Sequence, residues 1–288
     1  MKILKTVSDL QSHLGREGTG KVNFVPTMGA LHEGHLSLIR KSCLQPGTTV
    51  VSIFVNPTQF NNPEDLKKYP RDIHKDMSML KDVLGDNDIL FIPEYDDLYS
   101  YEKEFVLDLE GLDKLMEGKH RPGHFRGVVR VVKLLFEVVK PCRAYFGQKD
   151  FQQLTIIRKM VEKLGFNIEI IACPILREAN GLAMSSRNEL LPHDVREKAE
   201  IIYKTLSRFN RLRDQSDIPA AEKQIISEID KTGCFKTEYF EIVDNVSLTK
   251  AGVNSSIDPR LKYYGCIAVF AGKIRLIDNI EFYFTKVD

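Results

Sequence analysis

Short apolar runs alternate with stretches of helical spacing through the first 180 or so residues of the chain. The runs predict strands at 21–27, 48–56 and 88–93, and apolar residues spaced three or four apart predict a helix over 34–44. The run at 48–56 is β-branched and apolar on both faces, which is typical of a strand inside a parallel sheet. This stretch therefore predicts a β-α-β unit followed by another strand.

The same alternation continues in the middle of the chain. The pattern predicts a very apolar helix over 127–140, a strand at 143–147, an amphipathic helix over 151–165 and a strand at 167–175. Parallel strands with covering helices account for this order, so the predicted fold class is α/β with a doubly wound parallel sheet.

The pattern changes after about residue 180. We expect a long charged helix over 191–214, a second shorter helix, a strand at 236–244, and two strands within 263–280 around an Ala-Gly-Lys turn. This is a smaller α+β C-terminal domain. The predicted division is a domain of residues 1–177 and a second domain of residues 178–288.

Composition limits the classes of partner. The 288 residues include 41 Lys and Arg against 40 Asp and Glu, a net charge of +1, so any polyanion must be bound by local groups and nucleic acid is not expected. The five cysteines are far apart and form no C-x-x-C pair, which argues against a disulfide scaffold or a zinc knuckle. With neither a signal-peptide core nor a membrane-spanning run in the sequence, we expect a cytoplasmic protein.

The first candidate site is V-P-T-M-G-A-L-H-E-G-H at 25–35, where a predicted strand gives way to a helix. His32 and His35 lie three apart around Gly34, and three interpretations are open. The residues are two ligands of a metal, or donors to phosphate at a helix N-terminus, or a capping segment without further function. A helix start suits phosphate because its free N–H groups and dipole favour an anion, whereas the metal hypothesis lacks a third ligand.

Three more loops follow predicted strands and carry polar groups. F-G-Q-K-D-F-Q-Q at 146–153 offers Lys149 as a point charge, and A-M-S-S-R-N at 183–188 offers two hydroxyls and a bidentate Arg187. S-I-F-V-N-P-T-Q-F at 52–60 leaves its strand at a proline and presents amides suited to a small polar substrate. Each loop alone is equally compatible with an ordinary capped turn, a solvated lysine or a strand exit.

A fifth segment, G-K-H-R-P-G-H-F-R-G-V at 118–128, is locally basic and precedes the apolar helix. It could meet a triphosphate or cover the edge of the sheet, and we expect His124 to be structural or gating rather than chemical.

Six motifs in this order resemble the pantothenate synthetase (pantoate–β-alanine ligase) family: PTMGALHEGH, SIFVNPTQF, DLKKYPRD, RPGHFRGV, FGQKDFQQ and GLAMSSRN. H-x-G-H alone would indicate only the wider nucleotidylyl-transferring superfamily. The resemblance covers essentially the whole chain. It implies a Rossmann-type N-terminal domain, a smaller closing domain, a homodimer, and condensation of pantoate with β-alanine to form pantothenate, AMP and pyrophosphate through a pantoyl adenylate.

The resemblance also implies roles for individual residues. His35 corresponds to a proton donor and, with His32, Lys149 and Arg187, forms the expected catalytic set. Gln59 is expected to contact pantoate and β-alanine, and Gln153 to contact pantoate. Asn56 is expected to be a further substrate-binding residue. The expected ATP-binding residues are Met28, Gly29, Ala30, Leu31, His32, Glu33, Gly34, His35, Gly147, Gln148, Lys149, Asp150, Leu176, Met184, Ser185, Ser186 and Arg187.

Two positions depart from the family pattern. Arg130 stands where the family usually has a small hydroxyl residue, and Lys75 stands near acidic residues linked to Mg²⁺ in some relatives. Asp76 is the candidate that replaces them as a metal ligand. Two other functions remain open: a different H-x-G-H transferase that leaves AMP on its product, and a nucleotide-sensing protein without turnover.

Overall fold

The computed structural model describes residues 1–16, 20–60, 63–252 and 256–284. The chain divides into two compact units. The first comprises Met1–Gln148 and Ile156–Pro174, and the second comprises Lys149–Thr155 and Ile175–Asp288.

The strands and helices alternate in the first unit and then change order in the second. The strands are β1 Lys2–Leu4, β2 Val22–Thr27, β3 Thr48–Ile53, β4 Ile89–Phe91, β5 Arg143–Gly147, β6 Glu169–Cys173, β7 Arg211–Leu212, β8 Lys236–Asp244, β9 Tyr263–Ala271 and β10 Ile274–Phe284. The helices are α1 Val7–Arg16, α2 Glu33–Cys43, α3 Pro63–Lys68, α4 Ile73–Lys81, α5 Tyr95–Tyr99, α6 Met116–His120, α7 His124–Val139, α8 Phe151–Leu164, α9 His193–Lys198, α10 Glu200–Phe209 and α11 Ile218–Asp230.

In the described part of the first unit, six strands form one sheet in the order β1-β4-β3-β2-β5-β6. All neighbouring pairs are parallel. The predicted doubly wound parallel sheet is therefore confirmed. The winding direction reverses between β2 and β5, and open α/β sheets bind ligands at the carboxyl ends of the strands at such a reversal.

Alternate residues of each strand pack on opposite faces of this sheet, because side chains in a strand point alternately to the two sides. Val25 lies in a buried cluster with Ile39 of α2 and Leu80 of α4. Its neighbour Phe24 packs edge-on against Phe136 of α7, with ring centroids 6.2 Å apart. The two faces thus each have their own apolar layer, and this rigid base positions the loops that follow β2, β3 and β5.

The second unit contains a sheet of order β7-β10-β9-β8 within the described residues. β8, β9 and β10 pair antiparallel and β7 pairs parallel to β10. Its core joins helices and sheet around fully buried residues such as Leu206, Ile225, Ile229 and Ile242. The predicted α+β architecture is confirmed.

The prediction of one long charged helix over 191–214 is wrong. The segment forms α9 and α10, and Arg211–Leu212 becomes a strand beside β10. The turn tightens at Ala199, whose N–H reaches both Val195 O (3.0 Å) and Arg196 O (3.3 Å). The later helix, α11, has 13 residues against 10 in α10, so it is not the shorter one.

Across the described ranges, none of the helices combines the length and apolar character needed to cross a bilayer.

Asp244 at the end of β8 provides a pH-dependent test of the second unit. It is buried, and its carboxylate accepts N–H bonds from Val246 (2.7 Å), Ser247 (2.6 Å) and Thr249 (2.8 Å). Burial raises the pKa of this carboxyl, but the hydrogen bonds together outweigh burial and the net pKa lies below the usual 3.8. The folded protein therefore stabilises the ionised form of the Asp244 side chain.

We expect Asp244→Asn to lower the free energy of unfolding by about 2 kcal/mol near neutral pH, because hydrogen bonds to a charged group are lost. A lowered folded pKa stabilises above the unfolded pKa, and this contribution disappears as the pH falls through the folded pKa. In urea unfolding, the difference in free energy of unfolding between wild type and Asp244→Asn should therefore become smaller as the pH is lowered. Exposed Asp194→Asn is the control, and a difference independent of pH would contradict the prediction.

Candidate active site

The loop between β2 and α2 adopts an unusual backbone conformation. Gly29 and Ala30 have φ values of 77° and 51°, the left-handed region that non-glycine residues rarely enter. The Asp76 carboxylate of α4 holds this loop by accepting N–H bonds from Ala30 (3.0 Å) and Leu31 (2.7 Å). A Cβ on Gly29 would lie 2.8 Å from Asp76 Oδ2, so the close approach requires glycine. Asp76 and Gly29 thus define the path that leads into α2.

The two histidines cap the start of α2 reciprocally. His32 is the N-cap residue, and its Nδ1 accepts the Gly34 N–H at 3.1 Å. His35 Nδ1 accepts the His32 N–H at 3.4 Å, and the two ring centroids lie 4.1 Å apart. A backbone N–H can only donate, so both Nδ1 atoms are acceptors and a neutral ring carries its proton on Nε2. Each histidine is therefore an Nε2–H donor beside the positive end of an 11-residue helix.

This geometry favours the phosphate hypothesis over the metal hypothesis for the two histidines, since their Nδ1 atoms serve the helix end. Within residues 1–16, 20–60, 63–252 and 256–284, no group of three or more His, Cys, Asp or Glu side chains is arranged to hold a metal ion.

Asp76 does not fit its expected role as a Mg²⁺ ligand. Its side chain is 2% exposed and both of its oxygens face backbone N–H groups. Burial raises the pKa of this carboxyl, the N–H groups of Leu31 and Ala30 lower it, and the net shift is upward. Its contacts are those of a residue that supports the loop.

The loop after β3 holds two amides in a buried network. Asn56 is 1% exposed and precedes a short 3-10 helix, Pro57–Gln59, where its Oδ1 accepts the Thr58 N–H at 3.2 Å. Its Nδ2 donates to Gly127 O at 3.1 Å and to Gln59 Oε1 at 3.4 Å. Asn56 therefore connects the β3 loop to α7.

Gln59 is held from two further directions. Nδ1 of His124 lies 2.7 Å from the Gln59 carbonyl oxygen, and the Gln59 amide nitrogen contacts Sδ of Met28 in the histidine loop. A Cβ on Gly127 would lie 2.3 Å from Thr58 O, so α7 approaches this loop as closely as a glycine allows. The expectation that His124 is structural agrees with this contact, and the loops after β2 and β3 meet at Met28 and Gln59.

The carboxyl end of β5 lies beside β2 in the sheet and supplies two of the expected nucleotide-binding residues. Gly147 ends the strand, and the N–H of Gln148 donates to Cys173 O at 2.8 Å. Both belong to the first unit, whereas the chain enters the second unit at Lys149.

In the second unit, Lys149 and Asp150 precede α8. The Lys149 carbonyl accepts an N–H bond from Asn279 Nδ2 at 3.0 Å, and Lys149 Nζ lies 3.8 Å from Asp150 Oδ1. Gln153 is partly exposed, whereas its neighbour Gln152 is buried. Strand β10 thus fixes the backbone of Lys149 through Asn279.

The A-M-S-S-R-N loop at 183–188, which we call the phosphate clamp for its two hydroxyls and Arg187, lies elsewhere in the second unit. Met184 N–H donates to Leu176 O at 3.0 Å, so these two expected ATP-binding residues are backbone partners. Ser185 caps the 3-10 helix Ser186–Leu190, its Oγ accepting the Arg187 N–H at 3.3 Å.

A buried ion pair supports this loop. Arg177 donates through both Nη atoms to Asp278, at 2.6 and 3.0 Å, and its guanidinium lies 3.8 Å from the Tyr203 ring centroid. Asp278 is buried, which raises its pKa, while Arg177 opposes that shift. The pair joins the segment before the clamp to β10, next to Asn279.

The basic segment at 118–128 pairs with acids of its own region. Arg121 Nη1 lies 4.0 Å from Glu117, and Arg126 Nε lies 3.8 Å from Asp113 with an 80% exposed side chain.

The sequence motifs did not indicate two supporting residues. Tyr99 donates its hydroxyl to Asn56 Oδ1 at 2.9 Å, and Asn279 holds Lys149. Neither lies in a loop motif, so only their position in the fold reveals them. Gly127 could have been noticed as a glycine before a run of bulky apolar residues.

The parallel sheet and the histidine loop at its carboxyl edge define an α/β protein of the Rossmann type, with N–H donors at the start of α2 in an arrangement suited to phosphate. The chain belongs to the pantoate–β-alanine ligase family, because the family model described as Pantoate-beta-alanine ligase matches residues 2–281. The family resemblance of the sequence motifs, and the ligase class that it implied, are confirmed.

Named relatives and solved structures are similar to this chain over almost its whole length. The pantothenate synthetase of Flavobacterium psychrophilum is 50% identical over 263 residues, which is 90% of this chain and 91% of that protein. That of Bacteroides thetaiotaomicron is 45% identical over 98% of this chain and 99% of its own. The Thermus thermophilus pantothenate synthetase structure has a TM-score of 0.85 at 37% identity, covering 98% of this chain and 100% of that one.

One solved relative carries ligands. The pantoate–β-alanine ligase of Francisella tularensis, complexed with beta-gamma ATP and β-alanine, has a TM-score of 0.77 at 35% identity, covering 98% of this chain and 97% of that one.

We expect Asp76→Asn to loosen the histidine loop, because the NH₂ group of the asparagine, which can only donate, would face one of the two backbone N–H groups that Asp76 accepts from. Thermal unfolding should show that the free energy of unfolding falls by about 2 kcal/mol, the size expected when a buried donor loses its charged acceptor. The KM for ATP should rise in the same variant.

Asp72→Asn is the matched control, since Asp72 caps α4 by accepting the Lys75 N–H at 3.0 Å and asparagine caps equally well. Excess Mg²⁺ separates the two roles of Asp76. Recovery of activity at high Mg²⁺ would identify a metal ligand and refute the loop-holding role.

Proposed function

We propose that this protein condenses pantoate with β-alanine to form pantothenate, with ATP converted to AMP and pyrophosphate through a pantoyl adenylate. The observation that carries the proposal is the pair of Nε2–H donors at the start of α2 in the loop that contacts the Gln59 amide. Membership in the ligase family supports it, as does the relative that binds beta-gamma ATP and β-alanine.

In the first step, a carboxylate oxygen of pantoate attacks the α-phosphorus of ATP, and the bond from that phosphorus to pyrophosphate breaks. Negative charge grows on the phosphate oxygens and the departing pyrophosphate, so donors already aimed at these oxygens lower the barrier. His32 and His35 supply Nε2–H groups, and the N–H groups at the start of α2 add to them. The attacking group is already a carboxylate, so the protein needs no covalent nucleophile.

Gln59 and Gln153 are proposed to hold pantoate by its oxygens, with Gln59 also beside β-alanine. Alignment of two reactants in such a site can contribute on the order of 7–11 kcal/mol. Lys149, Ser185, Ser186 and Arg187 are proposed as further donors to phosphate. The remaining proposed ATP contacts are Met28, Gly29, Ala30, Leu31, Glu33, Gly34, Gly147, Gln148, Asp150, Leu176 and Met184.

In the second step, the neutral amine of β-alanine attacks the acyl carbon of pantoyl adenylate. The carbon–oxygen bond to AMP breaks, AMP leaves, and the nitrogen loses a proton as the amide forms. An acyl adenylate hydrolyses in water, so exclusion of solvent is part of this proposal. The assignment of that role to residues 178–288 as a lid stays a prediction.

Mg²⁺, a homodimer and a cytoplasmic location also stay predictions. Mg²⁺ would neutralise charge on the phosphate oxygens of ATP. Since Asp76 is occupied by the histidine loop, no protein ligand for the ion is proposed.

Isotope exchange between pyrophosphate and ATP tests the adenylate intermediate. We expect exchange that requires pantoate and proceeds without β-alanine. Without β-alanine the second step cannot occur, and reversal of the first step returns labelled pyrophosphate to ATP. Addition of β-alanine should then yield AMP and pantothenate in equal amounts. A nucleotidylyltransferase would retain AMP on its product, a nucleotide sensor would produce no AMP, and either result would refute the proposal.

His35→Ala tests the donor assignment. Loss of one preorganised donor should lower the rate of pyrophosphate release by about 100- to 1,000-fold, as for other sites of this kind. The control is His193→Ala, an 88% exposed histidine of α9. Full pyrophosphate release by His35→Ala would contradict the assignment.

A further inference from the structure

We propose that Tyr99, braced by Arg130 and Glu102, is a positioning residue that acts through Asn56 to reinforce which end of the Gln59 amide faces pantoate. The inference rests on the proposed function, and it assigns a role to Arg130, one of the two positions at which the sequence is expected to depart from the family pattern.

Two groups beside Asn56 have fixed hydrogen-bonding roles. The Thr58 N–H can only donate, and the Gly127 carbonyl can only accept. Asn56 lies between them, so its Oδ1 must face Thr58 and its Nδ2 must face Gly127, as the distances of 3.2 and 3.1 Å show. The orientation of the Asn56 amide is thereby determined without reference to any ligand.

The orientation of Asn56 determines that of Gln59. The Nδ2 group of Asn56 also donates to Gln59 Oε1 at 3.4 Å, so the oxygen of the glutamine turns inward. Its Nε2 is then the end directed toward Met28 and the histidine loop. An N–H donor suits pantoate, whose carboxylate and hydroxyl oxygens accept hydrogen bonds, whereas a flipped amide would present oxygen to oxygen.

Tyr99 reinforces this order from the far side of Asn56. Its hydroxyl donates to Asn56 Oδ1 at 2.9 Å, and the Thr58 hydroxyl donates to the same oxygen at 3.0 Å. Three donors converge on one oxygen. A flipped Asn56 would lose all three hydrogen bonds to that oxygen, place its NH₂ against the Thr58 N–H, which cannot accept, and require both hydroxyls to turn. Burial raises the pKa of Tyr99, which keeps the phenol protonated and able to donate.

Arg130 and Glu102 hold the Tyr99 ring. The Arg130 guanidinium donates to both carboxylate oxygens of Glu102 and lies 4.7 Å from the centroid of the Tyr99 ring. Tyr95 stacks on the same ring at 4.4 Å. The charge of Arg130 is paired within the brace, so the brace orders Tyr99 without adding net charge. Helix α7 contributes both Arg130 and, three residues earlier, the Gly127 carbonyl that receives Asn56.

The first test removes only the hydroxyl of Tyr99. Tyr99→Phe should raise the KM for pantoate by about three- to tenfold, the effect of one lost neutral hydrogen bond. The KM for ATP should change less than about twofold, since the donors to phosphate are untouched. Arg130→Thr should also raise the KM for pantoate, but by a smaller factor, because the ring keeps its hydroxyl and loses only its support. The KM for ATP should again change little.

Glu137→Gln is the matched control for loss of an ion pair on α7. Glu137 pairs with Lys133 at 2.8 Å and lies outside the brace, so both KM values should equal those of wild type. Thermal unfolding of every variant shows whether the fold is retained, and Tyr99→Phe keeps the aromatic ring.

A double-mutant cycle distinguishes positioning from general support of the fold. If Tyr99 acts through Gln59, then Tyr99→Phe should have no further effect on kcat/KM for pantoate once Gln59→Ala is present. Additive effects of the two substitutions, or equal rises in KM for pantoate and ATP, would overturn the proposal. Failure of the proposed function itself would show earlier, as a wild-type enzyme that forms no AMP from pantoate and ATP.

Discussion

The clamp of the Asp76 carboxylate on the N–H groups of Ala30 and Leu31 is the interaction on which the proposed chemistry depends. Two consecutive residues with positive φ turn the chain sharply after β2, and a non-glycine residue at Ala30 does so only when its surroundings compensate the cost. The clamp supplies that compensation from another helix. Because it fixes where α2 begins, it also fixes the two imidazoles whose Nδ1 atoms cap that helix.

The same principle recurs around the β3 loop. Gln59 is directed by Asn56, Asn56 by Thr58, Gly127 and Tyr99, and each contact is made by a group that is buried or partly buried. A buried polar group without a partner costs free energy, so such networks have few alternative arrangements. In the second unit, Asn279 and the Arg177–Asp278 pair hold the segments that carry Lys149 and Leu176. Several of the groups proposed to touch substrate are thus held in place by residues that do not touch it.

The surroundings of Asp76 in the fold give this carboxylate a different role from the one that its sequence neighbours suggest. An acidic residue near a phosphate-binding motif suggests a metal ligand, because carboxylates are the ligands that Mg²⁺ prefers. In the fold, both oxygens of this carboxylate serve backbone N–H groups instead. Likewise, the sequence predicts that the Asn56 amide contacts substrate. In the fold, its side chain is buried and hydrogen-bonded to other protein groups.

Periodicity and loop motifs are local properties, so the amino-acid sequence was enough to predict the parallel α/β sheet, the α+β second domain, and the loops that carry the histidines, the glutamines and the groups proposed to bind phosphate. It also indicated the family. Only the tertiary structure decided the tautomers of His32 and His35, the inward turn of the Gln59 oxygen, the role of Tyr99 and the break at Ala199. These depend on partners distant in sequence, such as Asp76 for the histidine loop and β10 for Arg211–Leu212, and no local pattern records which donor faces which acceptor.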